Sequence, residues 1–170
     1  MLGLLTKSER DAAFTGFVED ATASLTRTAW LLTGNDERAG DLVQAALVKT
    51  YLNWAKVRHG EALAYARRIL INEHTDRWRR TRNEVLGDDP LQASADSTAG
   101  VDDRDRIARM LATLPAQQRT IVVLRYYNDL SEAQVADLLH VSVGSVKSAA
   151  SRGLATLRAH YAPASREGDL

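Results

Sequence analysis

The sequence predicts an all-α protein: two small helical domains joined by a flexible acidic linker, the second carrying a helix-turn-helix. Three observations lead there. Prolines occur only at 90, 115 and 163 of 170 residues, so nothing interrupts long helices before position 90. Apolar residues recur at steps of three and four, with no alternation long enough for a strand. From 83 to 103 that periodicity stops, and Gly, Pro, Ser, Asp and Ala dominate.

A first helix is expected from about Ser8 to Leu32, with Phe14, Phe17, Val18, Ala21, Leu25, Ala29 and Leu32 on one apolar face. Gly34 can stop it, because glycine adopts the left-handed conformation without a Cβ penalty. Asn35 or Asp36 caps a second helix reaching about Val57, with Leu42, Val43, Ala46, Leu47, Thr50, Tyr51 and Trp54 facing inward. The polar loop Arg58-His59-Gly60 leads to a third helix, about Glu61 to Arg82. The first domain is thus 1–82, the linker 83–103, the second domain 104–162 and the tail 163–170.

The second domain restarts near Asp103. Pro115 suits the first turn of its second helix, where the missing N–H costs nothing, and that helix runs to about Tyr127. Ser131-x-x-Gln134 is a capping box, and Leu130 with Val135 has the spacing of a hydrophobic staple. The helix so begun ends near Leu139, His140-Val141-Ser142 is the turn, and Ser142 caps a last helix from Val143 to Tyr161. Its core side is Val146, Ala150, Leu154 and Leu157.

Composition narrows the function. The formal net charge of zero hides segregation: residues 1–82 carry +3, 83–103 carry −6 with no basic residue, and 104–170 carry +3. Two mildly basic blocks flanking an acidic connector direct attention to nucleic acid, block by block. No apolar run reaches the roughly 18 residues that cross a bilayer, and Met1 to Leu5 does not read as a signal peptide, so no membrane insertion and a cytoplasmic location are expected. There is no cysteine, and His59, His74, His140 and His160 show no metal spacing. No nucleophile elbow or phosphate loop occurs, so neither a cofactor, a metal nor catalysis is expected.

Two segments suit DNA. The last helix exposes Gly144, Ser145, Lys147, Ser148, Ser151 and Arg152. Small residues let its backbone approach a groove floor, and the cations and hydroxyls can meet phosphates or base edges. Near the end of the third helix, Arg67, Arg68, Asn72, Thr75, Asp76, Arg77, Trp78, Arg79, Arg80 and Arg82 form an arginine-rich run with an aromatic residue that could stack on unpaired bases. Taken alone, the first also fits a solvated helix face, and the second fits cations complementing a helix dipole. Asp41-Leu42-Val43-Gln44 taken alone reads as ordinary helix surface and core.

Four motifs in order change those weights. Asp41-Leu42-Val43-Gln44-x-x-Leu47-x-x-x-Tyr51 and Asn72-x-x-x-Asp76-x-x-Arg79-Arg80 lie before the linker. Leu114-Pro115-x-x-x-Arg119-x-x-x-x-Leu124-Arg125-Tyr126 and Val143-Gly144-Ser145-Val146-Lys147-Ser148-x-x-x-Arg152-Gly153 lie after it. Over nearly its whole length the chain resembles the bacterial sigma factors of the extracytoplasmic-function type, within the sigma-70 family, with regions 2 and 4 on either side of the linker.

The resemblance implies a protein that binds RNA polymerase core and promoter DNA. Asp41, Leu42 and Gln44 would contact the β′ clamp helices, and the β flap would dock between Leu124 and Leu139. Asn72, Thr75, Asp76, Arg79 and Arg80 would read the −10 element, and the loop from Lys56 through Arg58 and His59 to Glu61 would receive a flipped base. Gly144, Ser145, Lys147, Ser148, Ser151 and Arg152 would read the −35 element, and the acidic linker would enter the polymerase's nucleic-acid channels. Many relatives are held inactive by an anti-sigma factor that covers the polymerase-binding faces of regions 2 and 4, and the resemblance leaves such a partner open here. The chain departs from its relatives at Ala149 and Ser151, where arginine or aromatic residues are frequent, and Ser145 stands in place of the usual threonine. A stand-alone helix-turn-helix regulator is the alternative. It would be a dimer on palindromic operators, whereas the sigma reading expects a monomer and two unlike promoter boxes.

Overall fold

The structure, a computed structural model, describes residues 5–84 and 103–161. The expected linker interior, its acids Asp88, Asp89, Asp96 and Asp102, and the tail lie outside the described residues. The chain divides into two compact units, Met1–Pro90 and Leu91–Leu170.

The first unit packs α1 (Lys7–Thr33), α2 (Asp36–Leu52) and α3 (Ala62–Glu84), with two short 3₁₀ turns, Trp54–Lys56 and His59–Glu61, between the last two. A capping box starts α1 one residue before the expected Ser8. The Thr6 N–H donates to the Glu9 carboxylate at 2.8 Å, and the Glu9 N–H donates to Thr6 Oγ1 at 3.2 Å. Gly34 ends the helix at φ 63°, its N–H returning to the Trp30 carbonyl at 2.7 Å. Asn35 Oδ1 then accepts from the Arg38 N–H at 2.9 Å and caps α2. The core of the unit is Leu25, Ala29, Leu32, Leu42, Ala46, Ala66, Leu70 and Ile71.

The second helix stops at Leu52 rather than Val57. Thr50 Oγ1 donates to the Ala46 carbonyl at 2.7 Å and Asn53 Nδ2 to the Lys49 carbonyl at 3.0 Å. The Asn53 amide thus takes the Lys49 carbonyl that its own N–H would use in a longer helix, and that N–H goes to the Thr50 carbonyl at 3.2 Å instead. The following 3₁₀ turn drops Trp54 into the core at 5% exposure, against Phe14 and Phe17 of α1, each with centroids 5.2 Å away. Tyr51, expected inward, is exposed, and its hydroxyl donates to Asp11 at 2.8 Å.

The second unit comprises α4 (Asp103–Ala112), α5 (Ala116–Val122), α6 (Glu132–Leu139) and α7 (Val143–Tyr161). Pro115 is the residue that caps α5, with extended ψ of 147°, rather than a member of its first turn. The helix does reach Tyr127, but its last stretch, Val123–Tyr127, is π-helical, with the Asn128 N–H on the Val123 carbonyl at 3.1 Å. Every residue from Arg119 to Leu124 is buried, so this is the central helix of the unit. Arg119 is tolerated there because its Nε donates to the Leu111 carbonyl at 3.0 Å.

Both bonds of the α6 capping box are present: the Ser131 N–H donates to Gln134 Oε1 at 2.8 Å, and the Gln134 N–H to Ser131 Oγ at 3.1 Å. The helix closes in a Schellman motif. The Val141 N–H meets the Ala136 carbonyl at 3.1 Å and the His140 N–H meets that of Asp137 at 3.4 Å. His140 therefore occupies a left-handed position, φ 54°, that glycine normally fills. Ser142 caps α7 through the Ser145 N–H at 3.0 Å. That helix buries Val146, Ala149, Ala150 and Gly153, while Leu154 and Leu157 are half-buried. At Gly153 an added Cβ would sit 2.8 Å from Val122 Cγ2, so the missing side chain is what lets α7 lie against α5.

Candidate nucleic-acid interface

In the C-terminal unit the six expected residues form one surface. Gly144, Ser145, Lys147, Ser148, Ser151 and Arg152 are all exposed on the first turns of α7. The turn before them is held by Ser142 Oγ and Ser145 Oγ, 2.8 Å apart. A Cβ on Gly144 would meet only Ser142 Oγ at 3.9 Å, so the approach to the backbone there is open. Gln117 of α5 joins Ser142, Gly144, Ser145, Ser148 and Arg152 around an open polar concavity. Sequence reasoning missed Gln117, because only the packing of α5 on α7 brings it there. Ala149, at 3% exposure, also lines that concavity but brings only a methyl group to it.

Lys147 is not isolated. Its Nζ lies 3.8 Å from the Glu132 carboxylate at the start of α6, and Arg125 Nη2 lies 3.9 Å from the same group. Glu132 was also missed; fifteen residues separate it from Lys147, and nothing local links them.

In the N-terminal unit the expected residues occupy three elements. On α3, Asn72, Asp76, Arg79 and Arg80 are exposed at helical spacing and Thr75 is half-buried, its Oγ1 donating to the Ile71 carbonyl at 2.9 Å. Trp78 beside them is half-buried. Lys56, Arg58 and His59 are exposed in the segment between α2 and α3. That segment is anchored by Trp54, whose ring centroid is 5.6 Å from that of His59. Lys49 pairs with Glu73 and ties α2 to α3.

On α2, Asp41 and Gln44 are exposed three residues apart, on one face. Leu42 departs from its expected role: at 1% exposure it is a core residue and offers no surface to a partner. A single helical step of about 100° takes it from the outer face to the inner one. The spacing Ala39, Leu42/Val43, Ala46 and Thr50, all buried, carries the signal that identifies it.

Among the described residues no group of His, Asp or Glu could hold a metal ion, and no helix is long and apolar enough to cross a membrane.

The family model for sigma-70 region 2 matches residues 17–84, and that for sigma-70 region 4 matches 104–157. The RNA polymerase sigma-E factor of Streptomyces coelicolor is 36% identical over 148 residues, covering 85% of this chain and 84% of that protein. The ECF RNA polymerase sigma factor SigL of Mycobacterium tuberculosis is 32% identical over 154 residues, covering 85% and 81%. Among solved structures, the sigma factor RpoE of Bartonella quintana, crystallised with the anti-sigma factor NepR, matches with a TM-score of 0.66. That match covers 86% of this chain and 94% of the other at 24% identity, a likeness of fold. With both regions matched in order on two helical units, the chain belongs to the sigma-70 family, as a sigma factor of the extracytoplasmic-function class.

Proposed function

We propose that this chain binds RNA polymerase core, directs it to promoters bearing a −35 and a −10 element, and helps open the −10 region. One observation carries this reading. Two separately packed units match different regions of one family, and each presents a polar, cation-bearing helix face to solvent.

In this reading the exposed face of α7 seats in the major groove at the −35 element. Ser145, Ser148 and Ser151 meet phosphates, and Lys147 and Arg152 reach phosphates or guanine edges. The α3 stripe of Asn72, Thr75, Asp76, Arg79 and Arg80 reads the −10 element. The segment from Lys56 to Glu61 receives a base turned out of the non-template strand. Unstacking one base costs only a few kcal/mol, which its capture offsets. Asp41 and Gln44 meet the β′ clamp helices, and the β flap docks between Leu124 and Leu139. Residues 83–103, with six acids and no base, follow a path meant for nucleic acid.

The chain makes and breaks no bonds; it acts by binding, in the cytoplasm where polymerase works. It is a monomer when free, and its polymerase-binding faces are the surfaces an anti-sigma factor would cover. A balance of +3 in each basic block gives little counterion release, so the free protein binds promoter DNA weakly. Polymerase supplies the affinity by tethering both units at once.

The test is run-off transcription with sigma-free core polymerase on fragmented genomic DNA from the source organism. Discrete transcripts, lost with Asp41→Ala plus Gln44→Ala, are expected. Tight promoter binding by the free chain as a dimer, with no association with core, would replace this reading with a stand-alone regulator.

A further inference from the structure

We infer that Glu132 is a positioning residue that restrains Lys147, making this cation selective for a seated groove over bare phosphate. The inference rests on the reading of α7 as the −35 helix.

Glu132 is the first residue of α6, and its side chain is one-third exposed. On one side is a fixed cation. Arg125 Nη2 stands 3.9 Å from the carboxylate, while Nη1 of the same guanidinium donates to the Leu130 carbonyl at 2.5 Å and its Cζ lies 5.6 Å from the Tyr126 ring centroid. On the other side is a mobile one: Lys147 Nζ at 3.8 Å, at the end of a side chain that is 64% exposed. Both separations are too long for a hydrogen bond. The carboxylate therefore acts through its charge, holding a flexible ammonium near α6 without locking it.

Non-specific DNA binding is almost wholly phosphate neutralisation, so every unrestrained cation on the face adds to it. Glu132 cancels one such charge and repels phosphates itself. When α7 seats in a groove, the many specific contacts compensate for separating the pair, whereas on random sequence nothing does. Glu132 should thus weaken non-specific binding more than promoter binding.

The experiment uses the full chain bound to core polymerase, with two DNA probes. One is a promoter mapped by run-off transcription, the other the same fragment with its −35 element shuffled. Affinities are measured across a salt series for wild type, Glu132→Gln and Glu132→Asp, each also in a Lys147→Gln background. Glu132→Gln is expected to bind shuffled DNA roughly two- to fivefold more tightly, the scale of an exposed ion pair. Its salt slope should steepen by about 0.9, one extra phosphate contact. Selectivity should fall, Glu132→Asp should restore it, and the Lys147→Gln background should remove most of the effect. A merely structural role would lower the melting temperature and leave the salt slope unmoved. Unchanged slope and selectivity in Glu132→Gln, while wild type transcribes normally, would overturn the inference alone. No transcript and no core binding by wild type would overturn the functional reading, and the inference with it.

Discussion

The N-terminal unit carries more candidate contacts than the C-terminal one, and the two hold them differently. In the N-terminal unit the helices are long, 27, 17 and 23 residues, and the contacts are spread over α2, the 3₁₀ segment and α3. In the C-terminal unit α4, α5 and α6 span only 10, 7 and 8 residues, and every expected DNA contact lies on α7. The first surface depends on how three elements pack. The second depends on one turn and one cap, with Gln117 and Glu132 added by neighbouring helices. A surface built by packing is vulnerable through its core, and one built by local hydrogen bonds is vulnerable through its turn.

The sharpest test of that difference is Leu42 against Asp41. Replacing the buried Leu42 by alanine should cost the N-terminal unit about 2–5 kcal/mol, the range for a leucine lost from a packed core. Asp41→Ala, at an exposed site, should change stability by less than about 0.5 kcal/mol while abolishing core polymerase binding. Urea unfolding followed by tryptophan fluorescence reads this unit selectively, because Trp30, Trp54 and Trp78 all belong to it. Equal stability costs for the two variants would remove the distinction between core and contact.

Next comes Gly153→Leu. With Val122 Cγ2 only 2.8 Å from where a Cβ would stand, overpacking should cost the C-terminal unit about 1–3 kcal/mol. Circular dichroism should show an early transition while the tryptophan transition stays in place. If both move together, the units unfold as one and the contrast between them is wrong.

A smaller effect of opposite sign is expected at His140. Its left-handed backbone, φ 54°, is strained for a residue with a Cβ. His140→Gly should stabilise the C-terminal unit by about 0.5–1 kcal/mol after the extra freedom of glycine in the unfolded chain is counted. A loss of stability would mean that the imidazole makes a compensating interaction.

The smallest effect compares the two capping boxes. The Glu9 carboxyl is held below its ordinary pKa, chiefly by the Thr6 backbone N–H and then by the Thr6 hydroxyl. A depressed folded pKa gives a contribution that is full above the unfolded value and lost as pH falls through the folded one. The first turn of α1 should therefore fray in acid, below the usual carboxylate range. The corresponding box on α6 uses the Gln134 amide, which does not titrate, and should persist. Amide exchange at Glu9 and Gln134 across that range distinguishes the two; equal fraying would show that the Glu9 bonds do not hold the turn.

How much was legible from sequence follows the same division. The starts of α2, α6 and α7, the stop at Gly34 and the three-residue turn were all readable, because a cap is made by hydrogen bonds within about four residues. For the same reason the six exposed residues of α7 could be placed on one face by counting from Ser142. The family resemblance was legible too, since its motifs are short stretches of such local pattern.

Tertiary structure decided the rest. It ended α2 at Leu52 so that Trp54 could turn into the aromatic cluster of Phe14 and Phe17. It made the close of the central C-terminal helix π-helical, where the buried run from Arg119 to Leu124 ends. It turned Tyr51, expected inward, out to Asp11, brought Gln117 beside α7, and set Glu132 against Lys147. Burial and charge pairing depend on which surfaces meet, and those surfaces come from residues far apart in the chain. Local propensity carries no information about that distance, which is why the cap of α7 could be read from the sequence and the partner of Lys147 could not.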